Sequence, residues 1–263
     1  MSEEKSFSTL DKYIRDITVF LEWCGDKSLS KSLVLEYKQK LTEYYAPASV
    51  NSVISSLNSF FAYNGWHDLK VKTLKIQRQI FAERNKELSK AEYGRLLDAA
   101  RKNKDERLFY LMQTICASGI RVSEVSSITV ETVRERKAII KCKGKMRVVF
   151  LPKDLCKMLS EYVKRQKIKS GPVFITRNGK PLDRCAIWKM MKALCEKADV
   201  EKEKVFPHNL RHLFARTYYS IQKDIVRLAD ILGHSSINTT RIYTMETGEI
   251  HRRQIQRLGL LRL

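Results

Sequence analysis

The chain has 263 residues, 43% of them hydrophobic and 30% charged, with 10 glycines and 5 prolines. That length holds one large core or two smaller ones, and the composition excludes disordered and fibrous classes. The formal net charge of +21 makes a polyanion the expected partner, and nucleic acid is the usual one.

The charge is uneven. Residues 1–87 carry 13 Lys and Arg against 11 Asp and Glu, whereas residues 88–263 carry 37 against 18. The first 20 residues mix charged and apolar positions, unlike a secretory signal. No apolar run approaches the ~18 residues of a membrane span, so no membrane partner is expected. Six scattered cysteines form no Cys-x-x-Cys pair and no zinc pattern. They read as buried thiols in a reducing cytoplasm.

In chain order, apolar residues at helical spacing from Ser8 to Trp23 predict a first helix that stops near Gly25. A second is predicted over Lys31 to Tyr44, with Pro47 breaking the chain behind it. A third runs through Val50, Ile54, Leu57 and Phe61 towards Gly65. These elements make a nearly neutral helical domain over residues 1–80. Residues 68–87 lack a period and read as linker, placed at 81–87 between the domains. A second domain over 88–263 opens on the capping box Ser89-Lys90-Ala91-Glu92. Helices are expected at 90–102 and 105–117, with a short one beginning near Arg121. The period then changes: Ala138–Ile140 and Val148–Leu151 flank Lys143-Gly144 as a basic-tipped hairpin. A helix over 153–166, a strand at Val173–Ile175, a turn at Arg177–Lys180 and helices to the end complete a mainly α fold with a small antiparallel β-sheet.

Five side chains carry the chemistry. Arg121 stands in Ser118-Gly119-Ile120-Arg121-Val122-Ser123-Glu124. His208 and Arg211 stand in Pro207-His208-Asn209-Leu210-Arg211-His212. His234 lies in Leu232-Gly233-His234, and Tyr243 follows nine positions later. A phosphodiester repels nucleophiles until its non-bridging oxygens are neutralised. Arginine does this without a metal, because its planar fork matches two oxygens and keeps its charge. No dense acidic motif for paired metals stands out. Taken singly, each residue also has a plain reading: a core or surface tyrosine, a DNA-backbone arginine, a core histidine.

Together these motifs resemble the tyrosine recombinase, or phage integrase, family over most of residues 88–263, and more weakly over 1–80. The resemblance implies a DNA-cutting and rejoining enzyme of two domains, a helical core-binding domain and an α+β catalytic domain. It needs no metal or other cofactor, and works as a homotetramer on double-stranded DNA. By the same resemblance Tyr243 is the nucleophile that forms a 3′-phosphotyrosyl link, and Arg121 and Arg211 clamp the phosphate. His208 accepts the tyrosine proton, His234 donates to a phosphate oxygen, and Glu124 supports Arg121. Lys143 is the general acid for the 5′-oxygen, with Lys141 and Lys145 as rivals. His212 is read as structural, pointing elsewhere on its helix. The tail, residues 246–263, either closes its own core or docks on a neighbouring protomer. An Xer-like recombinase or a minimal mobile-element integrase fits best. The alternatives are a type IB topoisomerase-like enzyme and a regulator that binds DNA without cutting it.

Overall fold

The computed structural model describes residues 7–76, 86–142, 145–243 and 255–258, without the side chains of 141, 142 and 145. The chain forms two compact units, Met1–Gln79 and Ile80–Leu263.

The first unit is built on α1 (Phe7–Cys24), α2 (Lys31–Tyr44) and α3 (Pro47–Tyr63). Gly25 follows α1 at φ +56°. Ser30 caps α2 by accepting from the Leu33 N–H, and Pro47 opens α3, where its missing N–H costs nothing. Phe20 sits at the centre, edge-on to Tyr37 at 5.0 Å and to Phe61 at 6.1 Å between centroids. Buried Asp16 is compensated by the Ser56 hydroxyl at 2.7 Å and by Lys12. The expected linker does not begin at residue 68. Asn51 exchanges two hydrogen bonds with the backbone of Leu74, and Asn58 exchanges two with Val71. Leu69 and Val71 are buried with this core. Side-chain amides here do what a neighbouring strand would do, a pairing that no apolar period announces. Residues 81–85 of the expected linker lie outside the described residues.

The second unit begins with α4 (Lys90–Lys102) and α5 (Glu106–Ser118). The capping box is present: Ser89 Oγ accepts from the Glu92 N–H at 3.1 Å, and Glu92 accepts from the Ser89 N–H at 2.7 Å. Replacing Ser89 with alanine should cost about 1 kcal/mol. In a thermal melt that is a fall of roughly 2–4 °C; an unchanged midpoint would remove the cap from the account.

Past α5 the helix expected near Arg121 is a 3-10 segment, Val122–Ser127. Arg121 is extended at ψ 152°, and its N–H donates to Glu124 Oε2 at 2.8 Å, so the turn tightens around a side chain. A short helix that the pattern did not announce, α6 (Val130–Glu135), follows under a Thr129–Thr132 capping box. The hairpin then forms from β1 (Lys137–Cys142) and β2 (Lys145–Phe150), antiparallel from Lys137↔Phe150 to Cys142↔Lys145. Ala138, Ile140 and Val149 turn into the core, and Ile139, Val148 and Phe150 face outward.

Helix α7 (Lys153–Arg165) packs on α5 and α6. Val173–Ile175 is not a strand: only isolated bridges occur there, Thr129↔Pro172 and Ile175↔Pro181. Pro172 and Pro181 each remove a ladder donor, so burial of Val173 and Phe174 produces no sheet. Then come α8 (Arg184–Lys192), α9 (Cys195–Ala198), α10 (Pro207–Gln222), α11 (Ile225–Leu232), α12 (Ile237–Thr240) and a 3-10 turn, Arg241–Tyr243. Helix α10 packs along α5.

Among the described residues no helix is long and apolar enough to cross a membrane. Cys24, Cys156 and Cys195 are buried free thiols, whereas Cys185 is exposed, against the expectation that all are buried. Of the tail, only 255–258 are described; Ile255 and Leu258 are exposed there.

Candidate active site

The site is organised by the C-terminal end of an eight-residue helix. Such an end leaves carbonyls without intrahelical partners and carries partial negative charge. At the end of α11, Gly233 adopts φ +63° and closes the helix through bonds from the Gly233 and His234 N–H groups to Ala229 and Asp230. The next three carbonyls each receive a different arginine. Ile231 O accepts from Arg147 Nη1 at 2.8 Å, Leu232 O from Arg211 Nη2 at 2.7 Å, and Gly233 O from Arg121 Nη2 at 3.3 Å. A Cβ on Gly233 would lie 2.3 Å from Arg147 Cδ.

A second left-handed glycine completes the trap. Gly119 ends α5 at φ +65°, and its carbonyl accepts from Arg211 Nη1. A Cβ there would strike the Phe214 ring at 2.5 Å. Arg211 is 1% exposed. Burial, and then the neighbouring Arg121, lower its pKa to about 10, so it stays charged at neutral pH. Glu124, 5% exposed, is the only carboxylate in this ion-paired group among the described residues. One oxygen takes Arg121 Nη1 at 2.9 Å, and the other takes Arg147.

His234 follows the helix end directly. Its Nε2 lies 3.1 Å from Arg211 Nη2, and its Nδ1 lies 2.8 Å from Thr240 Oγ1. A guanidinium only donates, so Nε2 accepts and Nδ1 carries the hydrogen. Burial and the surrounding arginines push its pKa down to about 4.

Tyr243 is buried in the 3-10 turn after α12. Its ring stacks at 17° on His234, 6.0 Å between centroids. Burial raises the pKa of its phenol, and the charges of Arg211 and Arg121 oppose that rise. His212, expected to point away, meets Tyr243 edge-on at 4.9 Å and 88°, and meets His208 at 4.5 Å. The correction has a helical cause: His208 and His212 are one turn apart on α10 and share a face. His208 itself is exposed. Partial loss of hydration around its ring, then Arg211, Arg121 and Arg184, lower its pKa. A cavity of about 340 Å³ opens here, lined by Arg121, His208 and Arg211 with Arg184, Trp188 and Phe206. A larger cavity of about 810 Å³, among Arg107, Phe109 and Tyr162, holds none of the candidates.

The structure therefore brings together Arg121, Glu124, His208, Arg211, His234 and Tyr243. Lys143 lies outside the described residues, and Lys141 and Lys145 belong to β1 and β2. Sequence reasoning missed Arg147, Arg184 and the role of His212. Arg147 left a signal: it alternates with Val149 and pairs with Ile140, both buried, and a charge at an inward strand position is an anomaly. Among the described residues no group of three or more His, Cys, Asp or Glu is placed to hold a metal ion.

The depressed histidines predict a pH dependence. His212 is driven to about 3 by burial and then by His208, and His234 to about 4. Unfolded histidine titrates near 6.5, so between those values the unfolded chain binds more protons. The stability from keeping these rings neutral is complete above pH ~6.5 and is lost as the pH falls towards 4. Thermal midpoints should drop from pH 6.5 to 5, and drop less in His212→Phe; equal slopes would contradict the assignment.

The sequence profile of the Phage integrase family matches residues 86–249. Tyrosine recombinase XerA of Thermococcus kodakarensis is similar to this chain, 31% identical over 265 residues that cover 97% of this chain and 90% of that protein. Among solved structures, the Tn1549 transposon integrase in complex with transposon right-end DNA superposes with a TM-score of 0.74 at 18% identity, covering 98% and 96% of the two chains. A lambda integrase tetramer bound to a Holliday junction matches with a TM-score of 0.71 at 17% identity, covering 92% and 73%. At such identities these structures establish the fold. The matched segment spans more than half of the protein and contains the whole arginine–histidine–tyrosine cluster: the chain belongs to the phage integrase family, the tyrosine recombinases.

Proposed function

We propose that the protein is a site-specific DNA recombinase that cuts and rejoins duplex DNA through a 3′-phosphotyrosyl intermediate. The observation that carries this reading is one cluster: Arg121, His208 and Arg211 line a cavity, His234 sits against Arg211, and the Tyr243 ring stacks on His234. Two guanidiniums neutralise the non-bridging oxygens as phosphorus becomes five-coordinate. Tyr243 attacks and stores the bond energy covalently, so rejoining needs no ATP.

In this reading the phenolic proton ends on His208, and Lys143, by family resemblance, protonates the leaving 5′-oxygen. His234 donates to a phosphate oxygen. Its Nε2 accepts from Arg211, so donation requires a proton that the phosphate's charge stabilises. Glu124 orients Arg121. The residues of 1–80 and 88–263 serve as core-binding and catalytic domains, and the basic second part carries most of the phosphate contacts, so affinity falls steeply with salt. The lambda integrase tetramer on a Holliday junction supports a homotetramer on two DNA sites as the working form. An enzyme of this kind works in the cytoplasm, on DNA of the Xer or mobile-element class.

The test is a duplex nicked beside the scissile phosphate, incubated with the protein in EDTA. A covalent protein–DNA adduct is the expected product. A protein that shifts this DNA on a gel and never forms the adduct is a regulator, not a recombinase.

A further inference from the structure

The phenolic proton of Tyr243 needs a route out, and the obvious neighbours cannot supply it. Arg211 and Arg121 are the charges around the phenol, but a guanidinium has no lone pair to accept a proton. His234 has Nε2 engaged by Arg211, and its Nδ1 hydrogen points to Thr240. His208 is exposed, and its ring contact is to His212.

His212 lies between. Its ring touches His208 at 4.5 Å and Tyr243 at 4.9 Å. Its Nε2 is buried and has no hydrogen-bond partner. An unpaired buried nitrogen costs roughly 1–3 kcal/mol, and a phenylalanine at this position would fill the same space without that cost. Such a group calls for a partner in another state of the molecule. The ring that this imidazole meets edge-on belongs to Tyr243, which has a proton to give once a DNA phosphate is bound.

We propose that His212 is the first acceptor of the Tyr243 proton and that His208 is its exit to solvent. The inference rests on Tyr243 as the nucleophile. The Oη–H bond of Tyr243 breaks as its Oη–P bond forms, and the P–O5′ bond breaks with the leaving oxygen taking its proton from the general acid. The phenolic proton passes to His212, which hands one on to His208. The groups facing His212 are His208, Arg211 and Arg216 on its own helix, His234 beyond α11, and Tyr243. Burial and the positive charge around it keep it neutral. A bound phosphodiester brings the negative charge that lets it hold a proton in passing.

The experiment is single-turnover adduct formation on the nicked duplex in EDTA, from pH 7 to 9, for the wild type, His212→Phe and Tyr243→Phe. Phenylalanine keeps the edge-on ring contact and removes the nitrogen. At pH 7 His212→Phe should form adduct about 10²–10³-fold more slowly, with DNA binding intact. Its deficit should shrink roughly tenfold per pH unit, because hydroxide then makes the phenolate unaided. Wild-type rates in the variant at every pH, or a deficit that stays constant with pH, would overturn the proposal; the second result would leave His212 only a seat for the ring. If His212→Phe does not fold, His212→Gln takes its place with the same expected pH trend. An adduct that persists in Tyr243→Phe would instead sink the choice of nucleophile, a separate failure.

Discussion

Tyr243→Phe should abolish covalent attachment to DNA, lowering adduct formation by at least about 10⁴-fold, while leaving the protein folded and bound to DNA. The ring loses one hydroxyl and keeps its contacts with His234 and His212. Removing one hydroxyl from this buried ring costs on the order of 1 kcal/mol, well within the stability of a domain of this size. Affinity comes from phosphate contacts that the hydroxyl does not make. In the proposed reaction, cutting needs that oxygen as the new ester partner of phosphorus. The measurement pairs adduct formation with a gel shift on the same duplex. Loss of both would mean that the substitution damaged the fold; loss of neither would mean that another nucleophile works here.

What the chain reveals of itself follows the range of the forces involved. Helices α2 and α4 were readable to the residue, because an apolar stripe and a Ser cap are local features. The hairpin was readable from a change of period. The 3-10 turn after Gly119 was not, since its shape depends on Glu124 capping Arg121 while also meeting Arg147 from β2. The segment through Leu74 escaped for the same reason: its partners are the amides of Asn51 and Asn58 on α3. In the candidate site the residue types and their order were legible, but the reason they converge was not. Three successive carbonyls at the end of α11 gather arginines from β2, from α10 and from the turn after α5, and backbone oxygens leave no trace in a sequence. The place of His212 was legible as well, since its spacing from His208 puts both on one helical face.

Glu124 is where the largest loss of stability is expected. Its carboxylate is buried and shared, one oxygen to Arg121 and one to Arg147, and it also accepts the Arg121 N–H. Glu124→Gln keeps the shape and removes the charge, leaving two guanidiniums facing each other across an amide that can satisfy only part of their bonding. Breaking a buried ion pair from one side costs about 3–5 kcal/mol. The Arg121 side chain is 32% exposed and water screens part of its charge, so about 2–4 kcal/mol is expected. Arg121 then relies mainly on the Gly233 carbonyl, at 3.3 Å, and a misplaced phosphate clamp should slow adduct formation by about 10²-fold. Denaturant melts and adduct assays on Glu124→Gln and Glu124→Asp separate the two effects. Aspartate keeps the charge and shortens the reach, so it should recover part of the stability before it recovers the rate. A glutamine variant as stable and as active as the wild type would show that the carbonyls of α11 suffice to hold the arginines.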